Sequence, residues 1–112
     1  MFNAYIRERD CRQYGRCISC GAPITPTTCD AGHYVPCGNE STRFDERNVN
    51  AQCKVCNQLN YGNLKGYTRG IIARYGDIVD ELIHKGRQAV KRSKSDYEEI
   101  VEIYRQKRKE LL

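Results

Sequence analysis

Two Cys-x-x-Cys pairs, Cys17–Cys20 and Cys53–Cys56, bracket the polar cluster Asp30-Ala-Gly-His33-Tyr34, and Asn57 follows the last cysteine directly. Paired thiolates in a tight turn converge on one point, and four of them suit a closed tetrahedral zinc site. Such a zinc staples the chain and takes no part in chemistry. The inner residues differ in kind. A neutral imidazole such as His33 titrates near neutrality and can take a proton from water. The carboxylate of Asp30 and the amide oxygen of Asn57 are hard donors that suit Mg²⁺ or Mn²⁺. A base beside an oxygen-bound cation is what hydrolysis of a phosphodiester requires. Asn48 carries an amide that can bond the imidazole and fix its orientation. Taken singly, Asp30, Asn48 and Asn57 are equally turn or cap residues, and a lone His is commonly structural; their joint placement points to a site. Strict strand alternation puts Asp30 and His33 on opposite faces, so a shared site calls for a bend at Gly32.

The elements that must position these groups follow from local pattern. Residues 2–14 read as a helix ended by Gly15, with Tyr5 and Ile6 on its apolar side. Cys17 to Gly21 is the first knuckle. Residues 27–36 read as a strand, favoured by Thr27, Thr28, Tyr34 and Val35, and residues 36–41 as a loop. The second strand or its approach falls within 43–50. A short helix is expected from Cys53 to Tyr61, stopped by Gly62-Asn63. Residues 67–75 and 78–84 have helical spacing, with Ile71, Ile72, Ile78, Val79, Leu82 and Ile83 apolar. The last helix is expected to start at Ser95, with Glu98 completing a capping box. Tyr97, Ile100, Val101, Tyr104 and Leu111 then lie near one face, as core or as a partner-helix surface.

Size and composition bound the reading. A chain of 112 residues suggests one domain, and 39% hydrophobic against 29% charged residues suggests a small, local core. The net charge of +5 favours an anionic partner. No apolar run reaches the ~20 residues of a membrane span. The first nine residues lack the apolar stretch of a signal peptide. With seven cysteines, four of them in CxxC pairs, this argues for metal ligation in a reducing cytoplasm over a secreted disulfide scaffold. Cys11, Cys29 and Cys37 are left as small buried hydrophobes, Cys11 being a poorer-spaced alternative to Cys17. Between Cys20 and Cys53 lie 32 residues, enough for a hairpin clamped at its base.

In this order the motifs resemble a known group. Asp30-x2-His33, then Asn48-x4-Cys53-x2-Cys56-Asn57, is similar to the HNH, or ββα-metal, nucleases and especially to phage endonuclease VII. Cys-Ile-Ser-Cys-Gly, Asp-Ala-Gly-His-Tyr, Arg-Phe-Asp-Glu-Arg-Asn-Val-Asn-Ala-Gln-Cys and Gly-Asn-Leu-Lys-Gly-Tyr resemble the phage NinG (Rap) recombination family over most of residues 3–75. The resemblance implies a mostly helical α+β fold: a zinc-clamped ββα-metal core over 2–63 and a helical extension over 64–112. It implies His33 as general base, Asn48 as the residue that orients it or shapes its loop, Asp30 and Asn57 as ligands of a catalytic Mg²⁺ or Mn²⁺, and Cys17, Cys20, Cys53 and Cys56 as ligands of structural Zn²⁺. Many HNH sites have an acidic or His ligand directly before the base, where this chain has Gly32, and many use His in place of Asn57. The implied activity is an endonuclease on branched DNA, of the Holliday-junction or D-loop type, in a phage-infected bacterial cytoplasm. The rival readings are a non-catalytic zinc-stabilised DNA-binding module, or an HNH nicking or restriction enzyme on ordinary duplex.

Basic residues suggest where DNA would lie. Arg43 and Arg47 are near the site in sequence, and Lys85, Arg87, Lys91, Arg92 and Lys94 form a run with few acids nearby, suited to phosphates. No base-reading motif is evident, so shape recognition is expected. Cutting two strands of a junction requires two active sites, hence a homodimer, for which the last helix offers a surface.

Overall fold

A computed structural model describes residues 1–112. The fold is α+β and mostly helical. Its elements are α1 (Phe2–Gln13), β1 (Cys29–His33), α2 (Glu40–Arg43), β2 (Val49–Cys53), a π-helical turn (Val55–Leu59), α3 (Leu64–Tyr75), α4 (Val79–Gly86) and α5 (Lys94–Leu111). No helix is long and apolar enough to cross a membrane.

The two strands form one antiparallel hairpin in unbroken register, from Cys29 opposite Cys53 to His33 opposite Val49. Both strands are shorter than, or shifted from, the expected ones. Thr27 and Thr28 lie in a turn instead of a strand, because Thr28 Oγ accepts the Thr25 amide at 2.8 Å. The second strand starts only at Val49, residues 40–43 having closed into the helical turn α2. Gly32 remains paired with Asn50, so the bend that would rotate Asp30 towards His33 does not occur. Glycine is required there for another reason. A Cβ on Gly32 would lie 1.9 Å from Gln52 Oε1, so the Gln52 side chain crosses the strand where only glycine leaves room.

Three small apolar clusters replace one large core, and β2 is buried along nearly its whole length. Val49 joins Phe2, Tyr5, Ile6 and Tyr104. Ala51 joins the cysteines and Ile24. The alternate face of β2 carries Asn50 and Gln52, fully enclosed but satisfied. Asn50 Oδ1 accepts from Arg9 and Tyr75, and its amide donates to the Arg47 carbonyl and the Tyr67 hydroxyl. The Gln52 amide donates to Ser19 Oγ and the Gly62 carbonyl. Buried polar groups need such partners, since an unpaired one costs about 1–3 kcal/mol.

The helices hold the hairpin from both sides. A Cβ on Gly66 or Gly70 would lie 2.3 Å or 2.2 Å from the Ser19 or Ile18 carbonyl, so α3 rests its glycine face directly on the first knuckle's backbone. The start of α3 lies three residues earlier than expected. Asn63 Oδ1 accepts the Gly66 amide and caps the helix. Likewise α5 starts at Lys94, capped by Ser93 and boxed by Asp96, two residues before the expected Ser95 and Glu98. Both serines precede an acid by three residues, and the earlier frame also gains the Tyr97 amide bond to the Ser93 carbonyl. The apolar stripe of α5 packs on α1: Tyr104 is buried, with Ile100 and Leu111 against the same cluster. Val101 stays exposed, so the stripe is covered within the chain only in part.

Candidate functional site

The sulfur atoms of Cys17, Cys20, Cys53 and Cys56 all lie within 4.8 Å of one another, with Cys20 and Cys53 at 3.7 Å. Tetrahedral ligation at ~2.3 Å per Zn–S bond places sulfurs about 3.8 Å apart, so the donor set and its spacing fit zinc. The electrostatics agree. Burial pushes the Cys56 thiol up, neighbouring thiols add to it, and it reaches about 12 despite a bond from Asn63. Burial raises Cys20 too. Cys17 is also raised by burial, but backbone hydrogen bonds at Cys53, Cys20 and Ser19 outweigh that and bring it below an ordinary thiol. Four packed thiols cannot all ionise without a cation among them. Cys11 is not a fifth candidate. It lies 3.8 Å from Cys29, in a separate thiol pair.

The second knuckle explains why no regular helix runs from 53 to 61. The Cys56 amide turns in towards Cys53 Sγ at 3.4 Å, and the Asn60 amide reaches back to the Val55 carbonyl, widening the turn to a π-type loop. Asn63 donates its side-chain amide to Cys56 Sγ at 3.4 Å while capping α3. One residue thus ties the sulfur site to the helix, the orienting role outer-shell bonds play around metals.

His33 ends β1 at a cleft that it shares with Asn57, Ala31, Cys37 and Tyr61. Its Nε2 lies 3.2 Å from the Arg43 carbonyl oxygen. A carbonyl only accepts, so Nε2 carries the proton and Nδ1 the lone pair. Burial is the chief influence on the imidazole. It lowers the pKa, the Arg43 charge adds to this, and the bonds to the Arg43 and Ala31 backbone only partly oppose it. The ring is therefore neutral at physiological pH and able to take up a proton.

Asp30 and Asn57 are brought together: Asn57 Nδ2 donates to Asp30 Oδ2 at 3.0 Å, and Gln58 Nε2 donates to the same oxygen at 2.8 Å. The Lys54 ammonium sits 2.9 Å from Asp30 Oδ1. Burial raises the Asp30 carboxyl, but the bonds from Lys54, Gln58 and Asn57 prevail and hold it below the usual carboxylate range. The amide oxygen of Asn57 accepts no hydrogen bond, which leaves it available on the cleft wall. Asp30 does not line that cleft; Asn57 stands between it and His33. Lys54 and Gln58 escape sequence reasoning because a Cys-x-x-Cys pattern marks neither the residues within it nor those just after it.

Asn48 does not touch the imidazole. It is wholly buried, its Oδ1 accepts the Val35 amide at 2.8 Å, and its Nδ2 donates to the Val35 and Thr42 carbonyls. It shapes the loop after β1 and fixes α2, whose Arg43 carbonyl in turn holds His33. Asn48→Ala leaves the Val35 amide and carbonyl unpaired, while the Thr42 carbonyl keeps the Asp45 amide, and is expected to lower unfolding free energy by about 2–3 kcal/mol, read from urea denaturation.

Most of the cations expected to meet DNA are already paired. Arg47 bonds Asp45 and Glu81, Lys85 bonds Asp45, and Arg92 bonds Glu40. Burial raises the Asp45 carboxyl, yet Arg47 and Lys85 hold it down to about 2. Arg43 bonds Glu40 at 3.4 Å and lies over the Phe44 and Tyr97 rings at 5.2 and 5.9 Å. Arg87, Lys91 and Lys94 are exposed and free of acidic partners. The paired residues are correction enough to the simple picture of a basic run: sequence proximity conceals acids supplied by α2 and its flank.

The family model described as Bacteriophage Lambda NinG protein matches residues 1–112. The chain is 49% identical over 82 residues to Protein ninG of Escherichia phage 933W, covering 71% of this chain and 39% of that protein. It is 40% identical over 110 residues to Protein ninG of Salmonella phage P22, covering 97% and 53% respectively. The counterpart in Escherichia phage lambda is 48% identical over 82 residues, covering 71% and 39%. The chain thus spans about half the length, or less, of the curated relatives it matches. No solved structure matches it.

Proposed function

The chain belongs to the phage NinG family, and on that premise we propose that it is an HNH-type, metal-dependent endonuclease that hydrolyses branched DNA, of the Holliday-junction or D-loop kind, during phage recombination in the bacterial cytoplasm. The observation that carries this reading is His33: a neutral imidazole held through Nε2 by a backbone carbonyl, on a cleft wall that Asn57 shares. The order hairpin, knuckle, Asn-bearing turn supports a ββα-metal arrangement.

Bound Mg²⁺ or Mn²⁺ supplies charge neutralisation at the scissile phosphate and the leaving oxygen. Asn57 Oδ1 would hold it from the cleft wall; Asp30, off that wall and engaged by Lys54, Asn57 and Gln58, would act through Asn57 instead of as a ligand. A single amide ligand leaves most of the cation's shell to water and substrate phosphate. Asp30 orients Asn57 by accepting its N–H, which leaves the amide oxygen uncommitted. His33 Nδ1 takes the proton from the attacking water. Arg87, Lys91 and Lys94 contact phosphates. Two cuts across a junction call for a homodimer.

The base role sets a pH profile. His33 must be neutral to work and burial depresses its pKa. Cleavage is expected to rise with pH through a midpoint below 6.5 and then level off; a pH series of single-turnover rates measures it. The reading as a whole is tested by incubating the protein with labelled four-way-junction and linear duplex DNA, with and without added Mg²⁺. Faster cutting of the junction supports it; binding without cutting favours a DNA-binding module, and equal cutting favours a nuclease for ordinary duplex.

A further inference from the structure

Tyr61 is the one large aromatic side chain that the fold leaves almost wholly in solvent, at 97% exposure. It makes no side-chain hydrogen bond or ring contact, unlike Tyr5, Tyr34, Tyr67, Tyr75, Tyr97 and Tyr104, whose hydroxyls all have partners. Its backbone is held at φ +50°, in the left-handed region that non-glycine residues rarely occupy, between Asn60 and a run of two more left-handed residues, Gly62 and Asn63. A tyrosine in that conformation costs stability and gains nothing from packing. Such strain persists where surrounding structure enforces it and is concentrated at functional sites.

The enforcement here is specific. The Gly62 amide bonds the Cys56 carbonyl, the Gly62 carbonyl accepts from Gln52, and Asn63 bonds Cys56 Sγ. The loop that displays Tyr61 is thus anchored on the sulfur cluster and the hairpin at once. Tyr61 lines the same cleft as His33 and Asn57. Immediately beyond, α3 carries Lys65 and Arg69, both exposed and without acidic partners. An aromatic face with free cations on one side and a phosphodiester-directed base on the other fits an unpaired nucleobase next to its own backbone phosphates.

Resting on the reading of this cleft as one that acts on DNA, we propose that Tyr61 stacks on an unpaired base beside the scissile phosphate, and so selects branched or interrupted DNA over continuous duplex. Every base presents a π face, so this selection depends on unpairing and not on sequence. Continuous duplex hides those faces and gains nothing from the contact.

The test measures binding without divalent cation added, so that it does not depend on cutting. The probe is a junction or gapped duplex carrying 2-aminopurine at the unpaired position, set against the same strands fully paired. Tyr61→Asn keeps a residue that tolerates the left-handed region and removes the ring; Tyr61→Phe keeps the ring. The full-length chain in zinc-loaded form is used, with zinc content and oligomeric state recorded for each variant. Wild type and Tyr61→Phe should quench the probe and bind unpaired DNA alike. Tyr61→Asn should lose the quenching and about tenfold or more in affinity for that DNA, with less than twofold change on paired duplex. Equal binding by Tyr61→Asn, equal losses on both DNAs, or a change in oligomeric state without loss of quenching overturns the proposal, the last pointing to a protein interface. Wild type that quenches the probe and never cuts under added Mg²⁺ sinks the endonuclease reading and leaves the stacking role standing.

Discussion

Replacing His33 by Ala is expected to lower the DNA cleavage rate by about 10²–10⁴-fold, the usual contribution of a positioned general base, while the protein stays folded. The side chain bonds only backbone, at Arg43 and Ala31, and losing such bonds costs only about 1 kcal/mol each. The α2 segment it touches is held independently. Arg92 bonds the Glu40 carbonyl, Ser41 bonds the Lys85 carbonyl, and Asn48 bonds the Thr42 carbonyl. The variant should therefore keep its zinc and its cooperative unfolding and lose only turnover. Single-turnover rates on one labelled junction, compared at equal zinc content, measure this. A variant that cuts as fast as wild type would remove His33 from the chemistry.

The second large effect concerns the sulfur cluster. Cys53→Ser is expected to abolish stoichiometric zinc and, with it, the cooperative unfolding transition. Structural zinc contributes on the order of 10–16 kcal/mol of apparent folding free energy in small domains, comparable to or larger than the whole stability of a typical domain. The chain has little to set against that loss. Its buried apolar residues are divided among three clusters, and one of these consists largely of the cysteines themselves. The knuckle also carries α3, through Gly66, Gly70 and the Asn63 cap. Metal analysis with thermal or urea melts reads both consequences. Undiminished zinc, or an unchanged melt, would show that these cysteines do not staple the fold.

These two residues were also the most legible in the sequence, for a common reason. Cys-x-x-Cys spacing is a local geometric fact, and the four thiols do converge. His33 falls within the β-prone run 27–36, and it does lie on a strand, as the last residue of the shorter β1. What sequence conceals is long-range satisfaction. Asn50 and Gln52 are polar by type, yet they are enclosed, because Arg9, Tyr67, Tyr75 and Ser19 arrive from distant elements. For the same reason the sequence leaves two roles open for Asn48, of which it fills the loop-shaping one, and it does not reveal that Arg47, Lys85 and Arg92 pair with Asp45 and Glu40. Competing local signals account for the shifted boundaries. The β-propensity of Thr27 and Thr28 yields to a hydroxyl-closed turn, and of two serines that can box an acid, Ser93 wins.

The account stands on cleavage itself. The most direct measurement is a time course of wild-type protein, zinc-loaded and in excess over end-labelled four-way-junction DNA, to which Mg²⁺ is either added or withheld. The account predicts discrete cuts that appear only with Mg²⁺ while bound zinc stays constant. Stable DNA binding with intact strands at every time point, Mg²⁺ present, would contradict it.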